Sequence, residues 1–361
     1  LSVLVVLLLS NAVADEVIEE LVVTTSRAPT YLRDQPGNIA TVGDDAIELT
    51  AHAHIHELLT RVPGVWVSRG SGQESLPSIR SPVLTGAGSC GAFLTLENGI
   101  PTRPSGFCNV NQLFELPTEF SESIEIVRGP GNALYGSNSM HGAINVLTPM
   151  PSTGSRTTAK LELGPNDFFR VGGLINSGDG AKAVIGGSYA DDGGFRDASG
   201  YRQLKGLFRK NLSVSRGDLL LNVSISDLDQ DTAGFIRGKD AYKDDSLNRT
   251  NPNPEAFRQA SSQRANLEWR HAYGDFDVDI RPYLRHSEMT FLQHFLPGQP
   301  VEENGHVSGG FMANARLQDE SRTLSFGIDA DVADVYLRET QFGPTEGSAF
   351  LRETRPEGKH Y

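Results

Sequence analysis

From about residue 157 onward the chain repeats one pattern, short stretches in which apolar and polar residues strictly alternate. In 219–226, Leu219, Leu221, Val223 and Ile225 share one side, and Asn222, Ser224 and Ser226 the other. In 264–270, Ala265, Leu267 and Trp269 oppose Asn266, Glu268 and Arg270. Phe276, Val278 and Ile280 oppose Asp275, Asp277, Asp279 and Arg281. Leu324, Phe326, Ile328, Ala330 and Val332 oppose Ser325, Gly327, Asp329 and Asp331. A period of two belongs to β-strands, whose successive side chains leave opposite faces. Each strand therefore has one apolar face and one charged face.

The connections sharpen this reading. Gly178-Asp179-Gly180, Arg216-Gly217-Asp218, Ala272–Gly274 and Gln318–Ser321 are tight turns, and longer loops at about 191–200, 229–259 and 293–305 lie between them. Short and long connections alternate, as in a transmembrane barrel with short turns on one side and long loops on the other. A soluble sandwich has no reason to sort loops by side. Its core would also have to desolvate Asp277 and Asp329 at high cost. About nine strands are expected by Val335, whereas bacterial single-chain barrels have even numbers, so an incomplete barrel is expected here.

Residues 36–150 have a different texture and read as a compact α/β unit. Thr50 is expected to cap a helix with Ile55, Leu58 and Leu59 on one side, ended by Pro63-Gly64. Short strands are expected at 65–67, 93–96 and 123–127, with Asn98-Gly99 as a turn.

The first residues, Leu1 to Leu9, form a nearly continuous apolar run followed by Ala12-Val13-Ala14, the pattern of a signal-peptide core and its small-x-small cleavage site. Neither an initiator Met nor a basic segment precedes it, so residues 1–14 read as a truncated signal peptide and export is expected. No later stretch is long and apolar enough for a transmembrane helix. The net charge of -13 argues against general nucleic-acid binding. The only cysteines, Cys90 and Cys108, would meet an oxidising compartment on export. A disulfide is expected, worth roughly 3 kcal/mol for such a loop in the chain-entropy model, with two free buried thiols as the alternative.

Several blocks carry a family resemblance: Leu59-Thr60-Arg61-Val62-Pro63-Gly64-Val65, Glu97-Asn98-Gly99-Ile100-Pro101, Ile124-Glu125-Ile126-Val127-Arg128-Gly129-Pro130 with Ala133-Leu134-Tyr135-Gly136, and His141-Gly142-Ala143-Ile144-Asn145-Val146-Leu147-Thr148. Their order resembles the plug domain of TonB-dependent outer-membrane receptors. The resemblance implies an α+β plug domain at 36–150, followed at 151–361 by the N-terminal part of an antiparallel transmembrane β-barrel. It implies a monomer in the bacterial outer membrane that meets lipid, a large small-molecule ligand such as a ferric siderophore or cobalamin-like nutrient, and TonB. The leader 15–35 contains Glu19, Glu20, Leu21, Val22, Val23, Thr24, Thr25 and Arg27, which resemble the TonB box of the vitamin B12 receptor, with a first plug strand as the alternative. A periplasmic extended box would add itself to an edge strand of TonB.

The same resemblance implies that Arg80 and Arg128 latch the plug to barrel glutamates, a role suited to bidentate guanidinium–carboxylate pairs. Ser81 stands where the family has glycine, and a local surface bridge is the alternative for each arginine. Outward plug loops would offer Arg69, Gln73, Arg103 and Phe107 to the ligand. Asp227, Asp229 and Asp231 could hold a structural calcium ion, or could form a solvated acidic loop; no other cofactor is expected. His52, His54 and His56 fall at a helix onset and do not share a face. The glycines of 128–142 lack a phosphate-loop pattern, and no catalytic constellation is present, so no enzyme is expected.

Overall fold

Two sheets of opposite character share the chain. The computed structural model describes residues 22–23, 30–34, 37–83, 93–105, 107, 110–131, 135–136, 138–151, 155–178, 182–318, 322–342, 350–354 and 357–360. The leader contributes β1 (Val22–Val23) and β2 (Thr30–Tyr31), which pair antiparallel. The N-terminal domain then runs β3 (Ile39–Gly43), α1 (Asp44–Thr50), α2 (His56–Leu59), β4 (Val65–Arg69), β5 (Ser75–Ile79), β6 (Phe93–Glu97), β7 (Ile100–Pro101), β8 (Ser123–Arg128) and β9 (Gly142–Leu147). Its main sheet has the order β3-β8-β9-β6-β7, with β6 and β9 parallel, and β4 and β5 form a separate ribbon.

This domain folds around a dry core. Leu58, Leu59, Val67, Ile79, Phe93, Ile124, Ile126 and Ile144 are buried together, each contributing about 1.5–3 kcal/mol of transfer free energy. The turn at Asn98-Gly99 has φ of 51° and 82°, the paired left-handed geometry that closes the β6–β7 hairpin. Thr50 departs from expectation, since it ends α1 rather than capping the next helix. Its hydroxyl donates to the Ala46 carbonyl at 2.6 Å, and Ala51 reverses the chain with φ 45°. A threonine hydroxyl can satisfy a carbonyl one turn back as readily as it caps an N-terminus. The expected apolar positions Ile55, Leu58 and Leu59 are buried all the same.

The second sheet is a wall of nine consecutive antiparallel strands: β10 (Arg156–Leu163), β11 (Phe169–Ser177), β12 (Ala183–Asp192), β13 (Tyr201–Leu212), β14 (Asp218–Asp231), β15 (Phe257–Tyr273), β16 (Phe276–Leu292), β17 (Val301–Gln318) and β18 (Thr323–Phe342). β19 (Phe350–Thr354) and β20 (Glu357–His360) both pair with β18. The tight connections at 213–217 and 274–275 lie at one end of the wall, and the longer ones at 193–200, 232–256 and 293–300 lie at the other. Among the described residues the wall does not close on itself.

Register and parity carry the alternation across the whole wall. Leu221 pairs with Leu267, Trp269 with Ile280, and Ala313 with Ile328, so apolar side chains stack in rows on the outer face. Leu284, Phe326 and Ile328 there are 69%, 56% and 63% exposed. The inner face is polar and buried, because the N-terminal domain sits against it. No helix among the described residues is long and apolar enough to cross a membrane. The outer face instead offers an apolar band carried by strands, with Trp269 and Tyr273 near its tight-turn end.

Candidate functional site

The chemistry of the molecule concentrates in the seam between domain and wall. Alternation points Arg170 of β11, Lys205 and Arg209 of β13, Arg258 and Arg264 of β15, and Arg281 and Arg285 of β16 inward. Lys205, Arg258 and Arg264 take their carboxylate partners from the N-terminal domain. Arg258 meets Glu74 at 2.9 Å, and Lys205 meets Glu119 at 2.9 Å while also donating to the Leu116 carbonyl. Arg264 bridges Glu97 at 2.8 Å and Glu115 at 3.2 Å. Ser224 and Ser287 complete this centre by donating to Glu97 and Glu115, each at 2.8 Å.

Carbonyl oxygens take the other guanidinium donors. Arg281 donates to Asn98, Arg285 to Pro101 and Arg103, Arg209 to Thr148 and Pro149, and Arg170 to Ala51 and His52. Three small apolar clusters also cross the seam, Phe114 against Leu228, Met289 and Phe291, Ile100 against Tyr283 and Met312, and Phe120 against Val184 and Leu207; the charge-assisted bonds between them make it directional. The seam is not filled throughout. A cavity of about 380 Å³ lies between α1, residues 119–122 and the inner faces of β10–β12.

Burial tunes the domain side of this seam. It pushes the Glu115 carboxyl above its usual range, only partly countered by Arg264, Ser287 and Gln112. Burial acts the same way on Glu119, but the Lys205 ammonium and hydrogen bonds to the carboxylate hold that carboxyl below its usual range. His52 is lowered to about 4 and His54 to about 3, in both cases chiefly by desolvation, so both imidazoles are neutral. His54 contacts the Glu74 carbonyl through Nε2 at 2.9 Å and accepts the His56 amide proton on Nδ1, which leaves it no lone pair for a metal.

The residues singled out from sequence scatter across this picture. Gln73 and Arg103 lie on turns but are buried there. The Gln73 amide donates to Gln230 on the wall at 2.8 Å, and Arg103 donates to the Phe93 carbonyl at 2.6 Å. Burial lowers the Arg103 guanidinium to about 10, which still leaves it charged. Phe107 stands edge-on to His306 of β17 at 5.2 Å. Arg69 is partly exposed, with Glu57 at 3.6 Å.

Arg80 and Arg128 converge on the turn Pro63-Gly64. Arg128 donates to the Pro63 carbonyl at 2.8 Å, and the Arg80 amide, at φ 49°, donates to the Gly64 carbonyl at 2.9 Å. Among the described residues neither pairs with a wall carboxylate. Asp227, Asp229 and Asp231 alternate on the outer face of β14, where Asp229 pairs with Arg202 at 3.0 Å. No group of three His, Cys, Asp or Glu among the described residues is arranged to hold a metal. Val22 and Val23 lie in β1, while Glu19, Glu20, Leu21, Thr24, Thr25, Cys90 and Cys108 fall outside the described residues.

Sequence reasoning missed the inward cations and their glutamates. A signal was present, because 205 and 209, 258 and 264, and 281 and 285 are even spacings that repeat a cation on the polar face of three strands. The glutamates gave no comparable signal, since they lie on irregular segments and a turn end.

Residues 31–143 match the family model described as the TonB-dependent Receptor Plug Domain. Among solved structures, the chain is similar to the ferric citrate transporter FecA in its unliganded form, with 16% identity, a TM-score of 0.70, and coverage of 89% of this chain and 52% of that one. It is similar to the ferric yersiniabactin uptake receptor FyuA from Yersinia pestis, with 15% identity, a TM-score of 0.67, and coverage of 85% and 50%. It is also similar to the copper transporter OprC, with 15% identity, a TM-score of 0.66, and coverage of 88% and 50%. The chain spans about half the length of these solved structures.

Proposed function

We propose that this chain, a member of the TonB-dependent receptors by its plug domain and its wall of barrel strands, serves active import across the outer membrane. The observation that carries the reading is the polar seam. The plug core does not run on into the wall, and only small apolar clusters around Phe114, Ile100 and Phe120 cross between them. The plug is held by Arg258–Glu74, Arg264–Glu97–Glu115 and Lys205–Glu119, which are bonds that can part and re-form with the same geometry.

In this reading a scarce nutrient binds on the long-loop side, and the plug yields when TonB pulls the leader. Glu19–Thr25 serve as the TonB box. The β1–β2 pairing of Val22 with Tyr31 and Val23 with Thr30 would have to open for that backbone to join TonB. Arg80 and Arg128 act as latch residues, either toward a wall carboxylate or through the Pro63-Gly64 turn they already share. Residues 1–14 direct export, Cys90 and Cys108 form a disulfide, and the leader lies in the periplasm.

A ferric chelate is the favoured cargo class, because the similar structures include transporters named for ferric citrate and ferric yersiniabactin. The copper transporter among them makes another small metal species the second reading. The test is energised uptake by a receptor carrying this chain, in cells lacking their own receptors, with labelled ferric siderophores, copper and cyanocobalamin. Uptake of one cargo that disappears with Leu21→Pro supports the mechanism. Uptake that survives the proline, or proceeds without proton-motive force, leaves a passive barrel.

A further inference from the structure

The inward cations of the wall fall into two classes. Arg170, Arg281, Arg285 and Arg316 each have a carboxylate on the wall itself, at Glu162, Asp279, Asp331 and Asp277. Lys205, Arg209, Arg258 and Arg264 form no ion pair with any described wall residue. Lys205, Arg258 and Arg264 pair only with plug glutamates, and Arg209 donates to the plug carbonyls of Thr148 and Pro149, to Met150 and to Asn222.

These four are also aligned. Strand register sets Arg258 beside Gln230, Lys205 beside Ser226, Arg264 beside Ser224 and Arg209 beside Asn222. They descend β14 in that order from the long-loop end, over a span of about 26 Å at the rise of an extended strand. The inward residues of β14 between them are neutral, and Ser226 Oγ has no hydrogen-bond partner.

We propose that β13–β15 form an anion track, in which Arg258, Lys205 and Arg264 take their counter-charge from the plug, Arg209 takes plug carbonyls, and all four receive an anionic cargo when the plug moves. The cargo class is a small molecule bearing several carboxylates or other oxyanion groups. This rests on the import reading above and deepens it. Withdrawing Glu74, Glu97, Glu115 and Glu119 leaves Arg258, Lys205 and Arg264 as a column of unpaired charge in a confined lumen. Such a cleft concentrates ions of opposite sign. Spacing along the strand lets an anion pass from one cation to the next without leaving the track, and no wall carboxylate stands between them to repel it. Plug and cargo then exchange places on the same donors.

The test uses Ser226→Cys in a full-length receptor carrying this chain, expressed in energised cells with and without TonB. Labelling is followed with the anionic reagent methanethiosulfonate ethylsulfonate and the cationic reagent methanethiosulfonate ethyltrimethylammonium. Each rate is normalised to a free thiol in solution and read against the parent chain as background. The expected result is TonB-dependent labelling in which the anionic reagent is favoured by about tenfold, the lower end of what a cleft lined by one sign does. That preference should vanish in Lys205→Gln/Arg258→Gln/Arg264→Gln and persist in Arg316→Gln. If the triple variant does not reach the membrane, Lys205→Gln and Arg258→Gln singly should each reduce it.

TonB-dependent labelling that ignores charge, favours the cation, or keeps its preference in the cation-to-glutamine variants overturns the track and leaves the import reading standing. No labelling in energised cells also overturns it. Equal labelling with and without TonB overturns the import reading instead, while the charge preference still judges the track.

Discussion

The plug and the wall solve the same problem in opposite ways. The plug hides Leu58, Ile126 and Ile144 and turns its polar groups outward, whereas the wall turns Phe326 and Ile328 outward and hides Arg209 and Ser262. What decides is the solvent each face meets. Among the described residues the apolar rows of the wall have no protein partner and suit lipid, while its inner face meets water or the plug. Where the two regions touch, charge-assisted bonds alternate with small apolar clusters centred on Phe114, Ile100 and Phe120.

The largest expected break in this contrast is at its centre. Arg264→Ala leaves Glu97 and Glu115 buried without their shared cation, at a cost of about 3–5 kcal/mol. The plug should loosen, read as faster proteolysis of residues 93–131 in the folded receptor while the wall stays resistant. An unchanged cleavage rate would mean that the seam is held elsewhere.

The outer face gives the next effect. Phe326→Arg should destabilise by about 2–4 kcal/mol in a bilayer, measured by urea unfolding in vesicles, whereas Ser325→Arg on the inner parity should cost far less. Equal costs would sink the assignment of faces.

Acid gives the most graded effect. His52 and His54 have folded values of about 4 and about 3, below the ordinary 6.5, so the unfolded chain takes up protons first. Plug stability is then full above pH 6.5 and falls as pH drops toward 4 and 3, each unit of difference being about 1.4 kcal/mol per group. Glu115 works the other way, since its raised value relieves the plug on acidification. His52→Gln/His54→Gln should flatten the decline in a thermal melt of the plug between pH 7 and 4, and a slope that persists would assign it to other groups.

Strand identity and faces were legible because alternation is local. Leu324 to Val332 and Leu219 to Ile225 declare their side without any knowledge of their neighbours. The Asn98-Gly99 turn was legible for the same reason, as two residues that accept positive φ. Thr50 was misread because a threonine hydroxyl serves either end of a helix, and only the Ala51 reversal settles which.

The site was less legible. Gln73 and Arg103 look like loop contacts in sequence, yet one is tied to Gln230 and the other lies beneath the domain surface. Asp227, Asp229 and Asp231 alternate as a ligand set might, but an extended strand holds alternate residues about 6–7 Å apart, and Asp229 is taken by Arg202. Sequence by itself determined the period, the sorted connections and the polar inner face, since these follow from how a strand presents consecutive side chains. Only the tertiary structure decided that Lys205, Arg209, Arg258 and Arg264 share one column and that Glu74, Glu97, Glu115 and Glu119 face it. Those pairings join residues more than 80 positions apart, and register and docking, which no local pattern encodes, bring them together.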